Sequence, residues 1–126
     1  MDKYQIDGTK IQYHTDRLYQ WLQADTEQAK LKVYPIYLEV SPVGACNHRC
    51  TFCAVDYIGY IPRSLNTLRL KDTIAQMGKL GVRSIMFAGE GEPLLHKNLP
   101  EIINNTKMNK IDVAITTNGT MMSENW

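Results

Sequence analysis

The chain has 126 residues, 44% hydrophobic and 21% charged, with a formal net charge of +1, which is the size and composition of one ordinary domain with a real core. Its basic residues are scattered, so no electrostatic footprint for nucleic acid or an anionic membrane stands out. The N-terminal stretch MDKYQIDGTKIQYH has no apolar run of signal-peptide length, and nothing approaches the roughly 18 apolar residues of a membrane span, so a cytoplasmic protein is expected.

Residues 4–13 alternate apolar and polar side chains around Asp7-Gly8, a pairing that favours a tight β-hairpin. Thr15 or Asp16 is placed to cap a following helix, in which Leu18, Trp21 and Leu22 form an apolar stripe through about Ala24. Residues 25–32 are polar and read as a connector or helix extension. Residues 1–32 are thus an N-terminal extension of hairpin plus helix, and 33–126 form the core domain.

From Tyr34 the period changes to two in Pro35-Ile36-Tyr37-Leu38-Glu39-Val40, a strand that runs into a loop containing all three cysteines. A helix is predicted from about Thr67, capped by Asn66, with Leu70, Ile74, Met77 and Gly81 on one face and Gly81 as its stop. The loop from Asp56 to Pro62 is aromatic-rich; it could roof a metal site formed by the cysteines, and packing onto the sheet is the favoured expectation. The next strand, Ser84–Ala88, breaks at Gly89-Glu90-Gly91-Glu92-Pro93. Asn98-Leu99-Pro100-Glu101 reads as a capped helix start, with Ile102 and Ile103 on its buried side. A third strand, Ile111–Thr116, ends at Thr117-Asn118-Gly119. The order β-α-β-α-β predicts an α/β fold with a parallel sheet and right-handed crossovers. All three chemically unusual segments then fall at strand C-termini on one edge, where open α/β sheets and barrels bind ligands.

Cys46, Cys50 and Cys53 are spaced C-x3-C-x2-C. An odd, tightly clustered set cannot close a disulfide framework, and it points to metal ligation in a reducing compartment. Three thiolates suit one soft metal centre with a position left open. The alternative is a non-enzymatic module: a Cys3His zinc site with His48 or His96 as the fourth ligand, or a small iron–sulfur electron carrier.

The C-x3-C-x-aromatic-C motif leaving a strand, followed one βα unit later by a Gly-Glu-Pro turn, resembles the radical SAM superfamily. The resemblance implies that Cys46, Cys50 and Cys53 bind a [4Fe–4S] cluster whose fourth iron is chelated by S-adenosylmethionine (SAM). It places Phe52 near the adenine. It assigns Gly89, Gly91, Glu92 and Pro93 to the turn that holds the SAM amino group, through backbone carbonyls and the Glu92 carboxylate. Thr117 and Asn118 resemble the Thr-Asn-Gly segment beside the SAM site in the branch of molybdenum-cofactor cyclases and peptide-modifying maturases. The implied activity is reductive cleavage of SAM to a 5′-deoxyadenosyl radical that abstracts hydrogen from a substrate, with a peptide or small metabolite favoured over RNA. No catalytic residue beyond the cofactor ligands is identified.

Family barrels are TIM-like with six βα units. Only about three are counted here, so the resemblance covers the first half of a (βα)6 barrel. A shortened chain or half of a split enzyme is expected, with a second chain or the missing C-terminal half completing the barrel. An electron donor such as flavodoxin or ferredoxin is the other implied partner.

Overall fold

The computed structural model describes residues 11–123. After a 3-10 turn at Ile11–Tyr13 come α1 (Thr15–Gln23), α2 (Glu27–Lys30), β1 (Tyr37–Val40), α3 (Ala54–Ile58), α4 (Thr67–Lys79), β2 (Ser84–Phe87), α5 (Leu99–Met108) and β3 (Asp112–Ile115). The three strands form a parallel sheet in the order β1-β2-β3, as the β-α-β-α-β pattern predicted.

Register separates the two faces of the sheet. Leu38, Ile85 and Val113 form one row and Val40, Phe87 and Ile115 a second. Side chains alternate along a strand, so both rows share one face, and Leu38, Val40, Ile85, Phe87 and Val113 pack in a core with Leu70 and Ile74 of α4 and Leu99 and Ile102 of α5. The opposite face carries Tyr37, Ser84 and Asp112 in one row and Glu39, Met86 and Ala114 in the other. The central strand β2 is the most buried of the three, because it alone has a neighbour on each side.

Helix α4 starts where the sequence places it: the Asn66 side chain accepts from Arg69 N at 3.0 Å. Leu70 and Ile74 lie one turn apart and are buried. The helix ends before Gly81, whose φ is +89°. Helix α5 begins at Leu99 as expected, but the Asn98 side chain donates to Thr67 Oγ1 at 3.0 Å instead of capping its own helix. That contact joins the N-terminal ends of α4 and α5, and an ion pair between Lys71 and Glu101 joins their flanks.

The N-terminal part departs most from expectation. The hairpin falls largely on residues 1–10, outside the described residues, and Ile11–Tyr13, its last positions, form a 3-10 turn. Neither Thr15 nor Asp16 caps α1, which follows His14 without a side-chain cap. Trp21 and Leu22 of its apolar stripe are 45% and 68% exposed. What anchors α1 is polar: the Arg17 guanidinium donates to the carbonyls of Tyr34 at 2.6 Å and Leu80 at 3.0 Å. Capping the C-terminal end of α4 in this way satisfies carbonyls the helix leaves unpaired.

Ile74 is fully buried at the centre of the α4 contact with the sheet. Ile74→Ala is expected to lower unfolding stability by about 2–4 kcal/mol, read as a fall in denaturant midpoint at constant slope. A loss below about 0.5 kcal/mol would show that α4 does not pack the core as described.

Candidate functional site at the strand C-termini

The loop after β1 is pinched at its base and open at its tip. Val43 pairs with Ser64 in an isolated antiparallel bridge, Gly44 N donates to Arg63 O at 2.8 Å, and Leu65 N donates to Pro42 O at 2.9 Å. The chain between these bonds carries all three cysteines, each half-buried and unpaired. Cys53 N donates to Cys50 O at 2.9 Å, which closes a turn between the second and third thiols. Cys53 is also the N-cap residue of α3. This short helix occupies part of the Asp56–Pro62 segment expected to be loop, and it buries no side chain. Tyr57 and Ile58 are exposed, which corrects the expectation that the segment's aromatics pack onto the sheet.

Polar contacts hold the loop instead. Arg49 lies between the first two thiols in sequence and donates to the carbonyls of Cys46 at 3.3 Å and His48 at 3.1 Å. It pairs with Asp56 of α3 at 3.2 Å and lies over the Tyr60 ring, 4.7 Å from its centroid, within cation–π range. The Tyr60 hydroxyl is 3.5 Å from Cys53 Sγ. This hydrogen bond is the largest influence lowering the Cys53 thiol pKa, helped by the backbone N–H of Asp56. The same bond raises the Tyr60 hydroxyl above its ordinary value. Cys46 Sγ accepts from His48 N at 3.4 Å. At Cys53 the donors aimed at sulfur favour the thiolate, the form that binds metal.

The turn after β2 lies against this loop, backbone to backbone. Glu92 N donates to Ala45 O at 2.8 Å, immediately before the first cysteine. A Cβ at Gly91 would collide with the carbonyl oxygens of Val43 and Ala45, so only glycine permits the approach. Gly89 has φ +106°, and a Cβ there would press on the Ser41 side chain. Ser41 Oγ accepts from Glu90 N at 3.2 Å. Pro93 is buried and opens a 3-10 turn through Leu95.

Glu92 is 3% exposed. Its Oε1 accepts from Leu94 N at 2.9 Å and Thr117 Oγ1 at 2.6 Å, and its Oε2 accepts from Asn118 N at 2.8 Å. The carboxylate therefore ties the β2 turn to the Thr117-Asn118-Gly119 turn after β3. Thr117 also accepts from Gly119 N at 3.0 Å, so its hydroxyl is engaged as donor and acceptor. From Asn118 the network reaches back to the cysteine loop, where Asn118 Nδ2 donates to Asn47 Oδ1 at 2.9 Å.

The structure thus joins the expected segments through Ala45, Glu92, Asn118 and Asn47. Phe52 stands apart, 89% exposed. His96 is buried, and its Nε2 is 2.9 Å from Leu65 O. Among the described residues, no three His, Cys, Asp or Glu side chains are gathered as a single ion requires. A cubane cluster takes one thiolate per iron, so its ligands stand farther apart than those of one ion, and three free, half-exposed thiols on one open loop suit it. Sequence reasoning passed over Asn47 and gave Tyr60 no role of its own, naming it only within a loop that could roof the cluster. Asn47 resembles any loop asparagine, and Tyr60 belonged to a segment expected to pack elsewhere. A cavity of about 350 Å³ lined by His14, Arg17, Gly81 and Arg83 lies at the N-terminal ends of the strands, away from the cysteines.

Residues 40–126 match the family model described as the radical SAM superfamily. A GTP 3',8-cyclase from Chlorobaculum tepidum is 39% identical over 88 residues, covering 68% of this chain and 26% of that protein. The chain therefore spans about a quarter of the length of the curated relatives it matches. Among solved structures, BtrN in complex with AdoMet and 2-DOIA superposes with a TM-score of 0.58 at 25% identity, covering 71% of this chain and 38% of BtrN. Streptococcus suis SuiB bound to the precursor peptide SuiA gives a TM-score of 0.65 over 98% of this chain and 28% of SuiB. At 19% identity that likeness concerns the fold.

Removing the Tyr60 hydroxyl tests its action on Cys53. In the metal-free chain, Tyr60→Phe is expected to move the pH profile of Cys53 alkylation upward, because the thiolate loses its donor. An unchanged profile would show that the Tyr60 hydroxyl does not lower the Cys53 pKa.

Proposed function

The chain belongs to the radical SAM superfamily, and from that premise we propose that Cys46, Cys50 and Cys53 ligate a [4Fe–4S] cluster whose open iron position is filled by SAM. The observation that carries this reading is the joining of three strand-end loops at one edge: the thiol loop, the glycine turn at Gly91 and the Asn118 turn. When bound, the cluster supplies the electron that cleaves the SAM C5′–S bond and yields the hydrogen-abstracting 5′-deoxyadenosyl radical.

The chain's own residues have distinct tasks in this reading. The thiols bind iron, the Tyr60 hydroxyl favours Cys53 as the thiolate, and His48 N–H donates to Cys46 Sγ. Gly91 lets the cysteine loop close on the turn, and the backbone carbonyls of the exposed Gly89-Glu90 stretch accept the SAM ammonium. Glu92 orients that turn rather than serving as the main ammonium acceptor, because its carboxylate already takes three hydrogen bonds. Asn118 lies beside the SAM site and Thr117 fixes its turn. Phe52, exposed on the loop, is available to cover the adenine. A zinc site would have to use His48 or the buried Nδ1 of His96, since His96 Nε2 is engaged by Leu65 O.

The substrate is proposed to be a peptide or small metabolite, within the range of the named relatives, and the reductant a flavodoxin or ferredoxin. The further strands of the barrel would come from additional chain or a second polypeptide. Free thiols fit a reducing cytoplasm, and among the described residues no helix is long and apolar enough to cross a membrane.

Anaerobic reconstitution with iron and sulfide, reduction with dithionite and addition of SAM test the proposal. The reduced cluster's EPR spectrum is expected to change with SAM, and Cys50→Ala to abolish cluster absorbance. Stoichiometric zinc with no cluster would overturn it. Glu92→Gln is expected to retain the cluster and weaken SAM binding about tenfold, since the amide must turn a donor toward one of three donors. Unchanged SAM affinity would remove Glu92 from the site.

A further inference from the structure

We infer that Asn47 is a positioning residue, locked by a one-way hydrogen-bond ring with Asn118 and Thr120 that sets Cys46 against the β3 turn. The inference rests on the cluster reading for its consequence, whereas the ring itself is given by the geometry.

Three side chains close the ring. Asn118 Nδ2 donates to Asn47 Oδ1 at 2.9 Å, Asn47 Nδ2 donates to Thr120 Oγ1 at 2.8 Å, and Thr120 Oγ1 donates to Asn118 Oδ1 at 2.8 Å. Its direction is set by one backbone group. Thr120 N can only donate, and it points at Asn118 Oδ1 from 3.0 Å. The Asn118 amide nitrogen must therefore face Asn47, which must answer with its oxygen. That turns the Asn47 nitrogen toward Thr120, whose hydroxyl proton is left for Asn118 Oδ1. No amide can flip without placing donor against donor.

The ring spans a long sequence separation. Asn47 follows the first thiol directly, while Asn118 and Thr120 belong to the turn that Glu92 holds through Asn118 N. Cys46 is thus bracketed by two ties to neighbouring strand ends: Ala45 O receives Glu92 N, and Asn47 enters the ring. The two ties restrain the backbone on either side of Cys46, the ring through exposed side chains for which water competes. Cys53 belongs to the other arm of the loop, governed by Tyr60 and α3.

Site-resolved thiol alkylation and cluster retention together test this role. In the metal-free chain, Asn47→Ala and Thr120→Val should alkylate Cys46 roughly three- to tenfold faster, the loss expected for one or two net hydrogen bonds, while Cys53 keeps its wild-type rate. Thr120→Ser restores the hydroxyl and should return Cys46 to the wild-type rate. In the reconstituted chain, the first two variants should lose iron to a chelator faster by a similar factor and show an altered EPR response to SAM, and Thr120→Ser should not. An unchanged Cys46 rate would overturn the inference, as would a parallel rise at all three thiols, which marks general loosening. A wild-type chain that binds no cluster would overturn the functional proposal instead, and the metal-free arm would still decide the ring.

Discussion

The site depends on one buried carboxylate. Burying an unpaired charge is costly, yet Glu92 is 3% exposed, and what compensates is three donors, two of them backbone N–H groups. Those donors come from two places, the 3-10 turn following Glu92 and the turn after β3. The charge is therefore satisfied only when these turns are held together. Its own backbone N–H goes to Ala45 O, so the same residue also fixes the start of the cysteine loop.

The sheet makes this possible. Parallel pairing in register brings Val40, Phe87 and Ile115 level at the C-terminal ends of β1, β2 and β3, so the loops that follow emerge side by side. The apolar rows below them hold α4 and α5, and their burial supplies a rigid base. Polar contacts above add little net stability individually, but they decide how the loops face one another. Gly91 illustrates the division: it contributes no side-chain packing, and its missing Cβ is what lets the two loops touch.

Most of the scaffold was legible in the sequence, because periodicity and capping report local physics. Leu70 and Ile74 at helical spacing, Asn66 before Thr67, and alternating strands between glycine-rich turns all lie where the pattern placed them. The cysteine spacing and the turn at Gly91 marked the candidate site, and the family match spans both segments. What escaped depends on partners distant in sequence. Asn98 resembles a cap, but Thr67 competes for its side chain. The stripe at Trp21 and Leu22 implied burial, but both are exposed and Arg17 ties α1 to the carbonyls of Tyr34 and Leu80. Glu92 read as a free acceptor because nothing local reveals that Thr117 and Asn118 fill it.

The cysteine loop differs in kind from the base that carries it. Its neck is held by backbone pairing at Val43 and Ser64, whereas α3 buries nothing and is retained by Arg49, Asp56, Tyr60 and Cys53. Water competes for such contacts, so each contributes modestly, and the thiol-bearing tip is the part of the site least secured by the protein alone. In the proposed reading, a cluster held by three thiolates would supply far more energy than these contacts, because metal affinity couples to the ordering of its ligands. The division of labour follows: the neck and the Glu92 ties determine where the loop stands, and the thiols' own chemistry determines how firmly its tip closes.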